Sequence, residues 1–226
     1  MYGMERLTDQ SPNKSKSKML KKLAGVTKKE GFQSLRMDDI AKAMDVSRAT
    51  MYKYFSSKDE VVEALVETYE DYIDGLALDT TQGEESSFGI RFQRLFEQSV
   101  LLIESVTDVF LRDLQLAYPE LFGHIKEAMH RRERKMVEFY QDGMKRGVFN
   151  QVNVKFLLLQ DDVMLREILT AKYIMFNETT LEQVLRDYYD FKKVQLFKAE
   201  KLALVNDHEL EPIMEHILQK YKRNVV

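Results

Sequence analysis

An all-α fold is predicted by three features of the sequence. Proline and glycine are scarce, three and nine in 226 residues. The strong helix formers Leu, Glu, Lys, Met and Gln fill the stretches between them. Apolar residues also return at i, i+3, i+4 and i+7, the period of one helix face. The chain is long enough for a small domain plus one of about 150 residues with a real core.

The elements follow in order. Residues 1–13 are polar and expected to fray. A first helix, 14–30, puts Leu20, Leu23, Ala24 and Thr27 on one face and stops at Gly31, after which Phe32 reads as a core plug. Met37, Ile40, Ala41 and Met44 then share one face of a helix of about two turns. Asp45 is able to take the left-handed conformation of a sharp turn, Val46 plugs the core, and Ser47 is able to cap a new helix that starts at Arg48. In that helix Met51 and Phe55, four apart, point inward. Arg48, Ala49, Thr50, Tyr52, Lys53 and Tyr54 are left for an outside surface, a geometry that suits the major groove of DNA. A fourth helix, 58–76, repeats Val62, Leu65, Val66, Tyr69 and Ile73.

Charge points the same way. Asn13 to Lys58 holds ten Lys and two Arg against four acidic residues, a net +8 in a chain of −3, so the rest carries −11. Such asymmetry marks a nucleic-acid surface at one end, with salt-dependent binding through counterion release.

Glu30-Gly31-Phe32, Asp39-Ile40-Ala41, Val46-Ser47, Thr50-Met51-Tyr52-Lys53-Tyr54-Phe55 and Ser57-Lys58-Asp59-Glu60 together resemble the DNA-binding domain of TetR/AcrR-type transcriptional regulators, over about residues 15–75. The resemblance implies an all-helical homodimer with an N-terminal three-helix helix-turn-helix domain, 14–76, and a larger ligand-binding and dimerisation domain, 77–226. It implies DNA contacts from Arg36, Met37, Ser47, Arg48, Ala49, Thr50, Tyr52, Lys53, Tyr54 and Lys58. Of these, Arg48 and Thr50 are placed to reach base edges, and Tyr52, Lys53 and Lys58 the phosphate backbone. Three residues depart from the usual pattern: Arg36 where Thr is frequent, Asp45 where Gly is common, and Ala49 where Gly is often found. Most such regulators are repressors, although activators occur, so the expected function is a repressor released from a palindromic operator by a small apolar or amphipathic molecule.

Beyond a polar loop at 79–87, Phe88, Phe92, Leu95, Phe96, Ser99, Ile103 and Val106 form an aromatic stripe, and short and long helices follow at 108–117 and 120–146. Two long amphipathic segments, 152–176 and 180–204, are read as helices, which the resemblance implies pair with their copies in a second chain, and 212–222 as a last short helix. Aromatic and Met side chains line adaptable pockets. The candidate effector residues are Phe92, Phe96, Phe110, Met129, Met136 and Tyr140. The basic run Arg131, Arg132, Arg134 and Lys135 reads as a solvated helix face.

Other classes are weighed against this. The absence of Cys excludes disulfides and thiolate metal sites, and no 18-residue apolar run or signal-like segment is seen, so a cytoplasmic protein without a membrane span is expected. Glu127 and His130 have the Glu-x-x-His spacing of di-iron bundles. No second such pair exists, so this metalloenzyme alternative is weak, and neither a metal nor another cofactor is expected.

Overall fold

A computed structural model describes residues 12–76 and 84–225, and every regular element in them is helical. The frayed segment expected at 1–13 and most of the loop at 79–87 lie outside the described residues. The helices are α1 (Pro12–Glu30), α2 (Met37–Ala43), α3 (Arg48–Met51), α4 (Lys58–Asp74), α5 (Ser87–Ser105), α6 (Asp108–Ala117), α7 (Pro119–Lys145), α8 (Val154–Ile168), α9 (Ala171–Phe176), α10 (Leu181–Leu196) and α11 (Leu210–Val225), with two 3-10 turns between the last two.

Packing divides the chain into two compact units. Among the described residues the smaller takes 12–71 and 107–125, the larger 72–76, 84–106 and 126–225, so α4 and α7 each contribute residues to both. The two compact units therefore interleave along the chain, 107–125 packing with the N-terminal one. Residues 107–125 pack with the helix-turn-helix because Thr107 Oγ1 donates to the Lys28 carbonyl at 2.8 Å, while the Asp113 carboxylate accepts from the Phe32 and Gln33 N–H groups at 2.8 and 3.1 Å. Gly31 makes the second contact possible. Its φ is +74°, and a Cβ there would lie 2.2 Å from Asp113 Oδ2.

The core of the smaller unit is Leu20, Leu23, Phe32, Ile40, Met44, Met51, Phe55, Leu65 and Tyr69, all buried. Phe110 completes it, with ring centroids 4.7 Å from Tyr69 and 5.7 Å from Phe32. In the larger unit Phe88, Phe92, Phe139, Tyr140, Phe149, Tyr189 and Phe197 form a continuous aromatic core of stacked, tilted and edge-on pairs, arrangements that favour the ring quadrupoles.

Two expected long helices are shorter than their apolar pattern. The 152–176 segment breaks after Ile168, because Thr170 Oγ1 accepts from Tyr173 N–H at 3.1 Å and starts α9. The 180–204 segment ends at Leu196. There Asn150 Nδ2 donates to the carbonyls of Gln195 and Phe197, both at 3.0 Å, and Phe197 turns extended to bridge Phe149.

Candidate functional site

The helix-turn-helix is built from local signals. Arg36 has no side-chain acceptor, so only the returning half of a capping box forms at α2, with Arg36 N–H donating to Asp39 Oδ2 at 3.1 Å. Asp45 adopts φ 56°, the left-handed turn, and its carboxylate takes a 2.5 Å bond from Lys22 of α1 that holds it below the ordinary carboxylate range. Ser47 Oγ accepts from Thr50 N–H at 3.1 Å and lies 2.8 Å from the Thr50 hydroxyl, fixing the start of α3. Met51 and Phe55 are buried at 0% and 1% exposure and lock α3 to the core.

That packing decides which side chains remain outside. Arg36, Ser47, Arg48, Ala49, Tyr52 and Lys53 are exposed. Arg48 pairs with Asp38 at 3.2 Å and lies 5.6 Å from the Tyr52 ring centroid, which brings the first turns of α2 and α3 together. Met37, Thr50, Tyr54 and Lys58 are half-buried. Thr50 and Tyr54 border a cleft shared with Lys18, Lys22 and Met44. Lys58 donates to the Gln33 carbonyl at 2.9 Å, and burial draws its ammonium pKa down. It ties α4 to the turn after Gly31 instead of standing free toward solvent.

In the larger unit, Phe92, Phe96 and Tyr140 of the expected effector residues meet around a small chamber with Leu95, Ser99, Asp161, Leu165, Tyr188 and Lys192. Its free space is about 10 Å³, room for one water molecule. Met136 is not among its walls; it accepts from Arg132 Nη1 at 2.7 Å, and Arg132 Nη2 donates to the wall residue Ser99 at 3.0 Å. Met129 is half-exposed and absent from its walls, and Phe110 belongs to the core of the smaller unit.

Sequence reasoning missed the charges of this chamber. Lys192 Nζ lies 2.7 Å from Asp161 Oδ1, which also accepts from Tyr188 OH at 2.6 Å. Burial lowers the lysine pKa and, with the Asp161 charge, raises that of the Tyr188 phenol. Arg132 is 8% exposed, not on a solvated face as its basic run implied, whereas its neighbour Arg131 does lie outward, bonded to Asp74 at 2.7 Å. The signal that separates the two is helical phase: Arg132 lies seven and four residues after Ile125 and Ala128 and four before Met136, on the buried stripe of α7, and Arg131 one position off it.

The Glu127 and His130 pair does not make a metal centre. Both side chains are more than half exposed, 4.0 Å apart, and Glu127 accepts from Arg134 at 3.1 Å. Among the described residues no group of three or more His, Asp or Glu is placed to hold a metal ion. No described helix is long and apolar enough to cross a membrane.

Residues 20–65 match the family of bacterial regulatory proteins called the tetR family. Over these residues the chain carries a tetR-type helix-turn-helix segment. Its DNA-binding domain is the segment whose turn and caps are described above. The chain is 24% identical to the biofilm operon negative transcriptional regulator IcaR of Staphylococcus aureus over 134 residues, 56% of this chain and 70% of that protein. Its fold is shared with the TetR-family regulator PfmR of Thermus thermophilus, at TM-score 0.58 and 19% identity, over 80% of this chain and 96% of that one. It is also shared with a protein from Saccharomonospora viridis in complex with choline, at TM-score 0.63 and 17% identity, over 82% and 99% of the two chains. Regulators of this family are not enzymes, and the metalloenzyme alternative has no support.

Proposed function

We propose that the protein is a one-component repressor: a homodimer that occupies a palindromic operator and leaves it when a small molecule binds the larger unit. The observation that carries this is the Ser47-capped α3, which holds Met51 and Phe55 inside and leaves Arg48, Ala49, Tyr52 and Lys53 outside, in a stretch of net +8. In this reading Arg36, Met37, Ser47, Arg48, Ala49, Thr50, Tyr52, Lys53 and Tyr54 face DNA. Arg48 exchanges Asp38 for a base edge, and Lys58 acts through the fold. Residues 14–76 read DNA, 77–226 serve effector and partner, and work on chromosomal DNA places the protein in the cytoplasm.

Repression is favoured by the likeness to IcaR, a negative regulator, and a small-molecule effector by the likeness to a protein that holds choline. Pairing through 152–204 is supported by apolar side chains left outside. Phe156, Leu159 and Val163 recur at i, i+3 and i+7 on α8 with 67%, 57% and 56% exposure, and Phe191 and Val194 of α10 are exposed at 52% and 61%. A contiguous apolar face of this kind marks an interface. Leu169, by contrast, is half-buried against the unit's own core, so the seam runs through the middle of α8. Effector binding shifts the dimer toward a state whose two α3 helices no longer match half-sites one helical turn apart.

The test is fluorescence anisotropy of the purified protein on the DNA upstream of its own gene, across a salt titration. Binding should be far tighter than to scrambled DNA and should fall steeply with salt. Equal, weak binding to both would defeat the repressor reading.

A further inference from the structure

We propose that the effector is an organic monoanion: a carboxylate on an aromatic or aliphatic body, its charge compensated by Arg132 and its body packed among Phe92, Phe96, Tyr140 and Leu165. The proposal rests on the reading that the larger unit takes a small-molecule effector, and it deepens that reading.

The argument is one of unbalanced charge. Three charged groups sit at or beside the chamber: Asp161, Lys192 and Arg132. Asp161 is already committed, since its Oδ1 holds the Lys192 ammonium at 2.7 Å and the Tyr188 hydroxyl at 2.6 Å. That pair is neutral. Arg132, more than nine-tenths buried, feels the same carboxylate, so two cations share one anion. Its two described bonds go to neutral atoms: Nη1 to the Met136 thioether at 2.7 Å and Nη2 to Ser99 Oγ at 3.0 Å. Its Nε has no hydrogen-bond partner among the described residues.

A guanidinium carries five donors and stays charged, and burying one without an anion is costly. An arriving anion would supply the missing partner. Ser99 links the two places, because it lines the chamber and accepts from Arg132. A cation would raise the local charge from +1 to +2, whereas a monoanion brings it to zero. The body of the ligand is dictated by the walls, which apart from Asp161, Lys192, Ser99 and two phenols are Phe92, Leu95, Phe96 and Leu165. The chamber must widen to admit it, and the long side chains of Arg132, Met136 and Lys192 are the parts able to give.

The test uses the full-length protein and matched triplets sharing one body: 4-phenylbutanoate and decanoate, each beside its primary amide and its trimethylammonium counterpart. Melting temperature and release from DNA are read for the wild type, Arg132→Met and Arg132→Lys, after each has been shown to hold DNA without added compound. The carboxylates should raise the wild-type melting temperature by several degrees at saturation and release DNA, while amide and ammonium do neither. In Arg132→Met the carboxylate affinity should fall about tenfold or more. Without compound that variant should melt no lower than the wild type, because a buried uncompensated charge has gone. Arg132→Lys should keep the preference for the carboxylate. A response to the ammonium or amide members alone would overturn the anion while leaving the effector reading intact. A protein that holds DNA but ignores every compound would overturn both. An Arg132→Met variant that melts lower and still responds to carboxylates would make Arg132 a structural residue only.

Discussion

The two units treat charge in opposite ways. Of the twelve basic residues between Asn13 and Lys58, none is buried. The larger unit buries Arg91, Arg132 and Lys192 in its interior. Charge on a surface costs little and acts at a distance, where it attracts a polyanion and falls off with salt. Charge in a core costs several kcal/mol per ion unless paired. On the proposed function, the contrast separates a surface for a large, uniform anion from an interior for a small one.

This contrast can be broken at several points. The largest effect is expected at the pairing face. Leu159→Asp puts a carboxylate into the middle of the α8 seam, so light scattering should show monomers, and operator affinity should drop about a hundredfold or more as the two half-sites cease to be bound together. A dimeric Leu159→Asp with intact DNA binding would remove α8 from the interface. Next is the core beneath the reading surface. Phe32→Ala empties a fully buried site against Phe110, and urea titration should show a loss of about 3–5 kcal/mol. Asp113→Ala leaves the Phe32 and Gln33 N–H groups without their acceptor, at a cost of about 1–3 kcal/mol by the same titration. An unchanged midpoint would mean that water replaces the carboxylate.

The smallest effect concerns phosphate contacts. Lys53→Ala should weaken binding to all DNA alike and reduce the salt slope by about one. Lys58→Ala should leave that slope nearly unchanged, since its ammonium is spent on the Gln33 carbonyl. Equal slope changes in both variants would return Lys58 to the phosphate-contacting surface.

Much of the smaller unit was legible in the sequence because its signals are local. Asp45 in the left-handed turn, Ser47 as a cap, and Met51 with Phe55 as an inward pair depend on residues within a few positions of each other. Helix α6 has the expected bounds, 108–117, for the same reason. Its destination was not legible: Phe110 reads as one more aromatic of the effector stripe, yet it packs on Phe32, which lies 78 residues earlier. Thr170 sits inside an apolar run, and only the contest between helix and cap shows that it starts a new helix. The chamber was the least legible. Asp161 and Lys192 are 31 positions apart on two helices, and Arg132 looks like Arg131 until the phase of α7 is known.

The account stands or falls on whether the outward side of α3 reads DNA as a pair of half-sites. Selection from a random duplex pool with the wild type and Arg48→Ala measures this directly. The wild type should enrich a palindrome with half-site centres about one helical turn apart. Arg48→Ala should enrich the same palindrome with preference lost at one position in each half, at a cost of about 1–3 kcal/mol. No enriched sequence for the wild type, or an identical consensus from both proteins, would contradict the assignment of Arg48 and, in the first case, the account as a whole.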